Sequence, residues 1–162
     1  MNLFTGVASD AFFGGPVPAS LHGLLRQAAV AGPAQRGALL WTAQAIAPQT
    51  LVLYFALVKH HAQRREFELA ERAALRGLLE AGHAAGLDGD GQALDGSPPP
   101  DFNADGPARF WLFMHKALAF IALRAGDLDT AREHLELIER VAPDARLGDE
   151  VVSALLRAAP DE

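Results

Sequence analysis

Residues 112–145, LFMHKALAFIALRAGDLDTAREHLELIERVAPDA, contain two amphipathic stretches around one turn. Phe113, Met114, Leu118 and Ile121 recur at helical spacing, and Gly126 is a left-handed stop after Ala125. Asp127 is an N-cap for a second helix over about Leu128 to Val141, which Pro143 ends. Upstream, the first of these helices extends back through Phe110 and Trp111, with Gly106 and Pro107 in its first turn and Asp105 as the expected cap. Downstream, Asp149 caps a short helix over Glu150 to Ala158.

The N-terminal half repeats this grammar. Ser20 is the expected cap of a helix over about Leu21 to Ala31, and Gly32-Pro33 separates it from a second helix ending near Ala47. Pro48 closes that helix. A third starts near Thr50 with a broad apolar face of Leu51, Tyr54, Phe55, Leu57, Val58 and His61. Arg64-Arg65 mark a turn, and a fourth helix begins at Glu66. Strand-like alternation is absent beyond a few positions, so the reading is all-α, with about seven helices. Residues 1–18, with Phe4, Phe12 and Phe13, are expected to be an N-terminal arm packed on a single helical domain over residues 19–159. Residues 85–106 interrupt that domain with glycines, Pro98-Pro99-Pro100 and five aspartates. That segment carries −5 of the net charge of −6 and reads as a polar, mobile loop.

Composition narrows the function classes. In 162 residues there is no cysteine, which excludes disulfides, thiol catalysis and cysteine-based metal sites. The negative charge argues against nucleic acid as a partner. No apolar run approaches the ~18 residues of a membrane span, and Met1 to Asp10 lack the basic residues of a secretory signal, so a cytoplasmic protein with no membrane partner is expected.

The helices also repeat. Counting from Leu112 as one, Ala119 stands at eight, Gly126 at fifteen, Ala131 at twenty, Leu135 at twenty-four, Ile138 at twenty-seven and Pro143 at thirty-two. This pattern resembles the tetratricopeptide repeat, a helical hairpin of about 34 residues. Residues 51–84 fit the frame through Tyr54, Leu57 and Ala70, with Arg65 in place of the turn glycine and Gly82 in place of the proline. Residues 17–50 agree at Leu24, Leu40, Ala43 and Pro48, but Arg36 stands where the crossing alanine belongs. The resemblance implies hairpins stacked as a short right-handed superhelix, closed by the last helix. A fainter resemblance, through Gly106-Pro107-Ala108-Arg109-Phe110 and the helix after it, is to small repeat proteins of bacterial nitrogen-fixation gene neighbourhoods.

The resemblance further implies a concave face lined by the first helix of each hairpin. Its inward positions hold Val52, Phe55, Lys59, Ala62 and Gln63 in one unit, and Phe113, Lys116, Phe120, Leu123 and Arg124 in the other. Of these, Phe55, Lys59, Gln63, Lys116, Phe120 and Arg124 form the expected partner-binding groove. Cations beside aromatic rings suit an acidic, apolar peptide. The family's carboxylate clamp also uses asparagines, which are missing here. The expected function is a non-enzymatic interaction or assembly module; a homo-oligomerising protein and a small-ligand accessory protein are the alternatives. No catalytic constellation, cofactor motif or metal site is expected. His60 and His61 are neighbours on a helix and have only Arg64 and Arg65 four residues on. Asp88-Gly-Asp90-Gly-Gln92 begins like a calcium loop, but Ala93 and Pro99 stand where its glycine and glutamate belong.

Overall fold

The computed structural model describes residues 17–145 and 149–158. The described residues form seven α-helices: α1 (His22–Val30), α2 (Pro33–Ile46), α3 (Leu51–Gln63), α4 (Phe67–Ala85), α5 (Pro107–Ala125), α6 (Leu128–Val141) and α7 (Asp149–Ala158). A 3₁₀ turn, Ala19–Leu21, leads into α1. Among the described residues the only extended pairing is an isolated bridge between Leu87 and Ala93, so the fold is all-α. The arm expected at residues 1–18 lies outside the described residues except for Val17, which is buried against α1, and Pro18.

Helix termini follow local chemistry with three differences, the first being that α7 begins at Asp149 itself, the residue expected to precede it as a cap. Asp127 caps α6 as its sequence implies, its carboxylate accepting from the Thr130 amide at 3.1 Å and the Thr130 hydroxyl at 2.7 Å. Ser20, however, lies inside the 3₁₀ turn, and Leu21 precedes α1 without a side-chain cap. Asp105 is displaced from the cap of α5 by Gly106, whose φ of 148° swings the chain into Pro107.

Each helix packs on its neighbours in sequence from α1 to α6, most extensively α4 on α5, and α7 packs on α5 and α6. α3 also reaches α5. Two apolar clusters result. Leu21, Leu25, Leu40, Val52, Leu53 and Leu57 fill the space between α1, α2 and α3. Tyr54, Phe110, Leu112, Met114, Ile121 and Ile138 fill that between α3, α4, α5 and α6. α3 feeds both, which is why it is apolar nearly all round. Each fully buried large side chain contributes about 1.5–3 kcal/mol of transfer free energy. Tyr54 keeps its hydroxyl satisfied by donating to the Pro48 carbonyl at 2.6 Å and accepting from Gln44 at 3.2 Å.

Small residues mark the close crossings. Ala119 and Ala131 are fully buried. Gly77 of α4 is pressed against α3, where an added Cβ would lie 2.8 Å from Tyr54 Cβ. Arg36, at the place of a crossing alanine, instead closes the end of α1. Its guanidinium donates to the Ala28 carbonyl at 3.1 Å and to the Ala31 carbonyl at 2.9 Å.

The acidic connection between α4 and α5 is packed onto the body. Phe102 and Leu87 are buried, and Phe102 lies 6.1 Å from Trp111 between ring centroids. Gly91, with φ 80°, sits so close to Trp111 and Val141 that an added Cβ would lie 3.0 Å from each side chain. Asn103 donates to the Asp144 carbonyl at 3.0 Å. The carboxylates of Asp88, Asp95 and Asp101 accept backbone amides of their own turns at 2.9 Å.

Candidate functional site

α3 and α5 run along one face of the molecule, and between them lies a pocket of about 350 Å³. Its wall from α3 is Phe55, Val58, Lys59, Ala62 and Gln63; its wall from α5 is Phe113, Lys116, Ala117 and Phe120. Helical periodicity produces this lining, since residues three and four apart share a face. Phe55 and Phe113 meet across the pocket at 5.5 Å between ring centroids, tilted by 46°. Lys116 Nζ sits 5.0 Å from the centroid of the Phe113 ring, a cation–π distance. Lys59 and Lys116 are the only lysines of the chain. The structure thus brings Phe55, Lys59, Gln63, Lys116 and Phe120 together. Arg124 is exposed in the last turn of α5 and does not line the pocket. Val52, at another inward position of the repeat frame, belongs to the core between α1, α2 and α3.

A second pocket, of about 450 Å³, lies where α2, α3 and α4 meet. Gly37 and Trp41 come from α2, His60 and His61 from α3, and Leu69 and Arg72 from α4, while Arg64 and Glu66 come from the intervening turn. Trp41 Nε1–H donates to His61 Nε2 at 2.9 Å. That bond leaves the proton of the neutral ring on Nδ1, which faces Glu66 Oε1 at 3.2 Å. Arg64 Nε donates to the same oxygen at 2.9 Å. These hydrogen bonds, His61 first, hold the Glu66 carboxyl below the usual carboxylate range. Burial pushes the His60 pKa down, with the neighbouring His61, Arg64 and Arg36 acting in the same direction.

Within-helix spacing gives His61 only arginine below it, so Glu66 escapes a search at three and four residues. Arg65 is the cause: its φ of 59° reverses the chain and returns Glu66 to the end of α3. An acidic residue just past a helix-ending turn was the available signal. Trp41 had none in the sequence, because it arrives from a different helix.

A third cluster is internal. His115 of α5 and His134 of α6 face each other with Nδ1 atoms 2.9 Å apart, one donating to the other. Trp111 stands edge-on to His115 at 4.4 Å between centroids. Burial, aided by His134, pushes the His115 pKa down to about 3, and burial lowers that of His134 as well.

No helix among the described residues is long and apolar enough to cross a membrane. Compared with protein-family models, with curated proteins and with solved structures, the chain matches none. What fold and site define together is a small all-α protein of successive helical hairpins that carries an apolar pocket edged by lysines.

Proposed function

We propose that this chain is a non-enzymatic, cytoplasmic protein-interaction module of tetratricopeptide type. In this reading the pocket between α3 and α5 holds the apolar side of a partner segment, and Lys59 and Lys116 meet acidic residues on that segment. The observation that carries it is the joint placement of Phe55, Phe113 and Phe120 with both lysines of an otherwise acidic chain on one surface. Apolar anchors supply affinity, and flanking charge supplies orientation and rate of encounter. Support for the repeat frame comes from α5, which packs on α3 and on α7, the contacts between first helices that stacked hairpins make.

The test is binding of acidic amphipathic peptides to the wild type and to the Lys59→Glu, Lys116→Glu double variant, with folding followed by circular dichroism. The double reversal should abolish binding and leave the helical signal unchanged; equal binding by both would sink the reading.

Self-association is a second reading, favoured by Leu75 and Leu79. These lie one turn apart on α4 and are 48% and 49% exposed. Sedimentation across a concentration series separates the two: self-association requires a rising mass, and a Leu75→Glu, Leu79→Glu variant should stay monomeric.

A further inference from the structure

His60, His61 and Glu66 each offer a donor atom, and the three atoms lie within 4.8 Å of one another. Both histidines are buried, and their rings stand edge to face at 4.8 Å between centroids. We propose that these residues bind a first-row transition-metal dication of the zinc type, with one position left open to water or an external ligand.

The separation of His61 Nδ1 from Glu66 Oε1 is 3.2 Å. Two donors each ~2.0–2.1 Å from a tetrahedral zinc stand about 3.3 Å apart, so these two atoms already have the spacing of adjacent ligands. His60 closes the set by rotating about its side-chain torsions. Gly37 keeps the space beside it: an added Cβ there would lie 3.0 Å from His60 Nε2 and 3.7 Å from His61 Cε1. Two further features point to a built site. Arg65 adopts left-handed backbone, a conformation costly for a residue with a side chain, and by doing so returns Glu66 to the histidines. Glu66 also stands at the N-cap of α4, yet its carboxylate turns to His61 and makes no cap hydrogen bond.

The hydrogen bonds present specify the competition. With Trp41 donating to Nε2, the His61 proton sits on Nδ1, the atom a metal would take. Binding therefore moves that proton to Nε2 and costs Trp41 its acceptor, which weakens affinity by about fivefold. Arg64 must share or release Glu66 Oε1. Arg64 and Arg72 also line the pocket, and Glu66 is the only carboxylate among its lining residues. That electrostatic setting disfavours hard cations, which need several oxygen ligands, and leaves ions that bind imidazole strongly.

The test uses metal-stripped protein titrated with Co²⁺ and Zn²⁺, followed by the visible spectrum of bound cobalt, by calorimetry and by tryptophan emission. Expected is one ion per chain, with the intense visible bands of four-coordinate cobalt and a change in emission as Trp41 loses its acceptor. Glu66→Gln, at a half-exposed position where folding is safe, and His60→Ala should each weaken binding at least tenfold. Trp41→Phe, which removes the competing donor and keeps an aromatic ring, should tighten binding about fivefold. The proposal is overturned by no binding at micromolar metal, by Mg²⁺ competing equally, or by affinity that ignores Glu66→Gln and Trp41→Phe. Loss of binding in His134→Ala with no loss in Glu66→Gln would place the ion elsewhere and overturn it equally.

Discussion

Arg65 and Gly126 hold the same place in their hairpins, and both turn the chain through left-handed backbone, with φ of 59° and 85°. Both turns close alike: the Glu66 amide reaches the His61 carbonyl at 2.9 Å, and the Asp127 amide reaches the Ala122 carbonyl at 2.8 Å. This is the six-to-one bond of the Schellman motif, for which glycine is the natural residue. Arg65→Gly should therefore stabilise the protein by ~0.5–1 kcal/mol, and Gly126→Ala should destabilise it by a similar amount. Urea unfolding midpoints check both; a destabilised Arg65→Gly would mean that the contact of its guanidinium with the Phe67 ring, at 5.9 Å, outweighs backbone strain.

Gly77→Ala poses two opposed effects. Alanine gains about 1 kcal/mol of helix propensity over glycine. At this position its Cβ would fall 2.8 Å from Tyr54 Cβ and 3.3 Å from Met114 Sδ. Overpacking of that kind costs ~1–3 kcal/mol, so the variant should be net destabilised, by up to about 2 kcal/mol. Thermal melting of the purified variant decides the sign.

The buried pair His115 and His134 should make stability fall with acid. The His115 pKa drops from 6.5 to about 3 in the folded state. Between those values the unfolded chain takes up a proton that the native chain refuses. Stability is complete above pH 6.5 and declines as pH falls toward 3, at up to about 1.4 kcal/mol per pH unit from this residue. His115→Leu should flatten that slope; urea unfolding at pH 7, 6 and 5 measures it, and an unchanged slope would assign the acid sensitivity elsewhere.

Phe102→Ala should destabilise the protein by about 3 kcal/mol, since the ring is buried against Trp111. Deleting residues 88–101 should lower the melting temperature too, because Gly91 and its contact with Trp111 and Val141 go with them. A loop that served only as a solvated connection would give neither effect.

The aspartates and glycines of that loop account for its sequence reading as polar and mobile, and most of its aspartates are indeed turned outward. Leu87 and Phe102, fifteen residues apart, are its buried apolar side chains, and such isolated anchors among so many polar residues leave no periodicity to read. The reading of the caps divides similarly. Asp127 and Gly126 were legible because their partners lie within five residues. Arg36 reads as a misfit in the repeat, since its partners are carbonyls at the end of another helix.

Sequence alone determined the all-α class and the hairpin at residues 112–145, because helical periodicity and end signals act within a few turns of one segment, while the repeat resemblance pointed to the faces of α3 and α5, of which Arg124 and Val52 fall outside the lysine-edged pocket. The junction of Trp41, His61 and Glu66 was decided only by the tertiary structure. Its hydrogen bonds depend on how α2 crosses α3 and on a strained turn at Arg65, and crossing geometry comes from the packing of whole helix faces, which no single segment encodes.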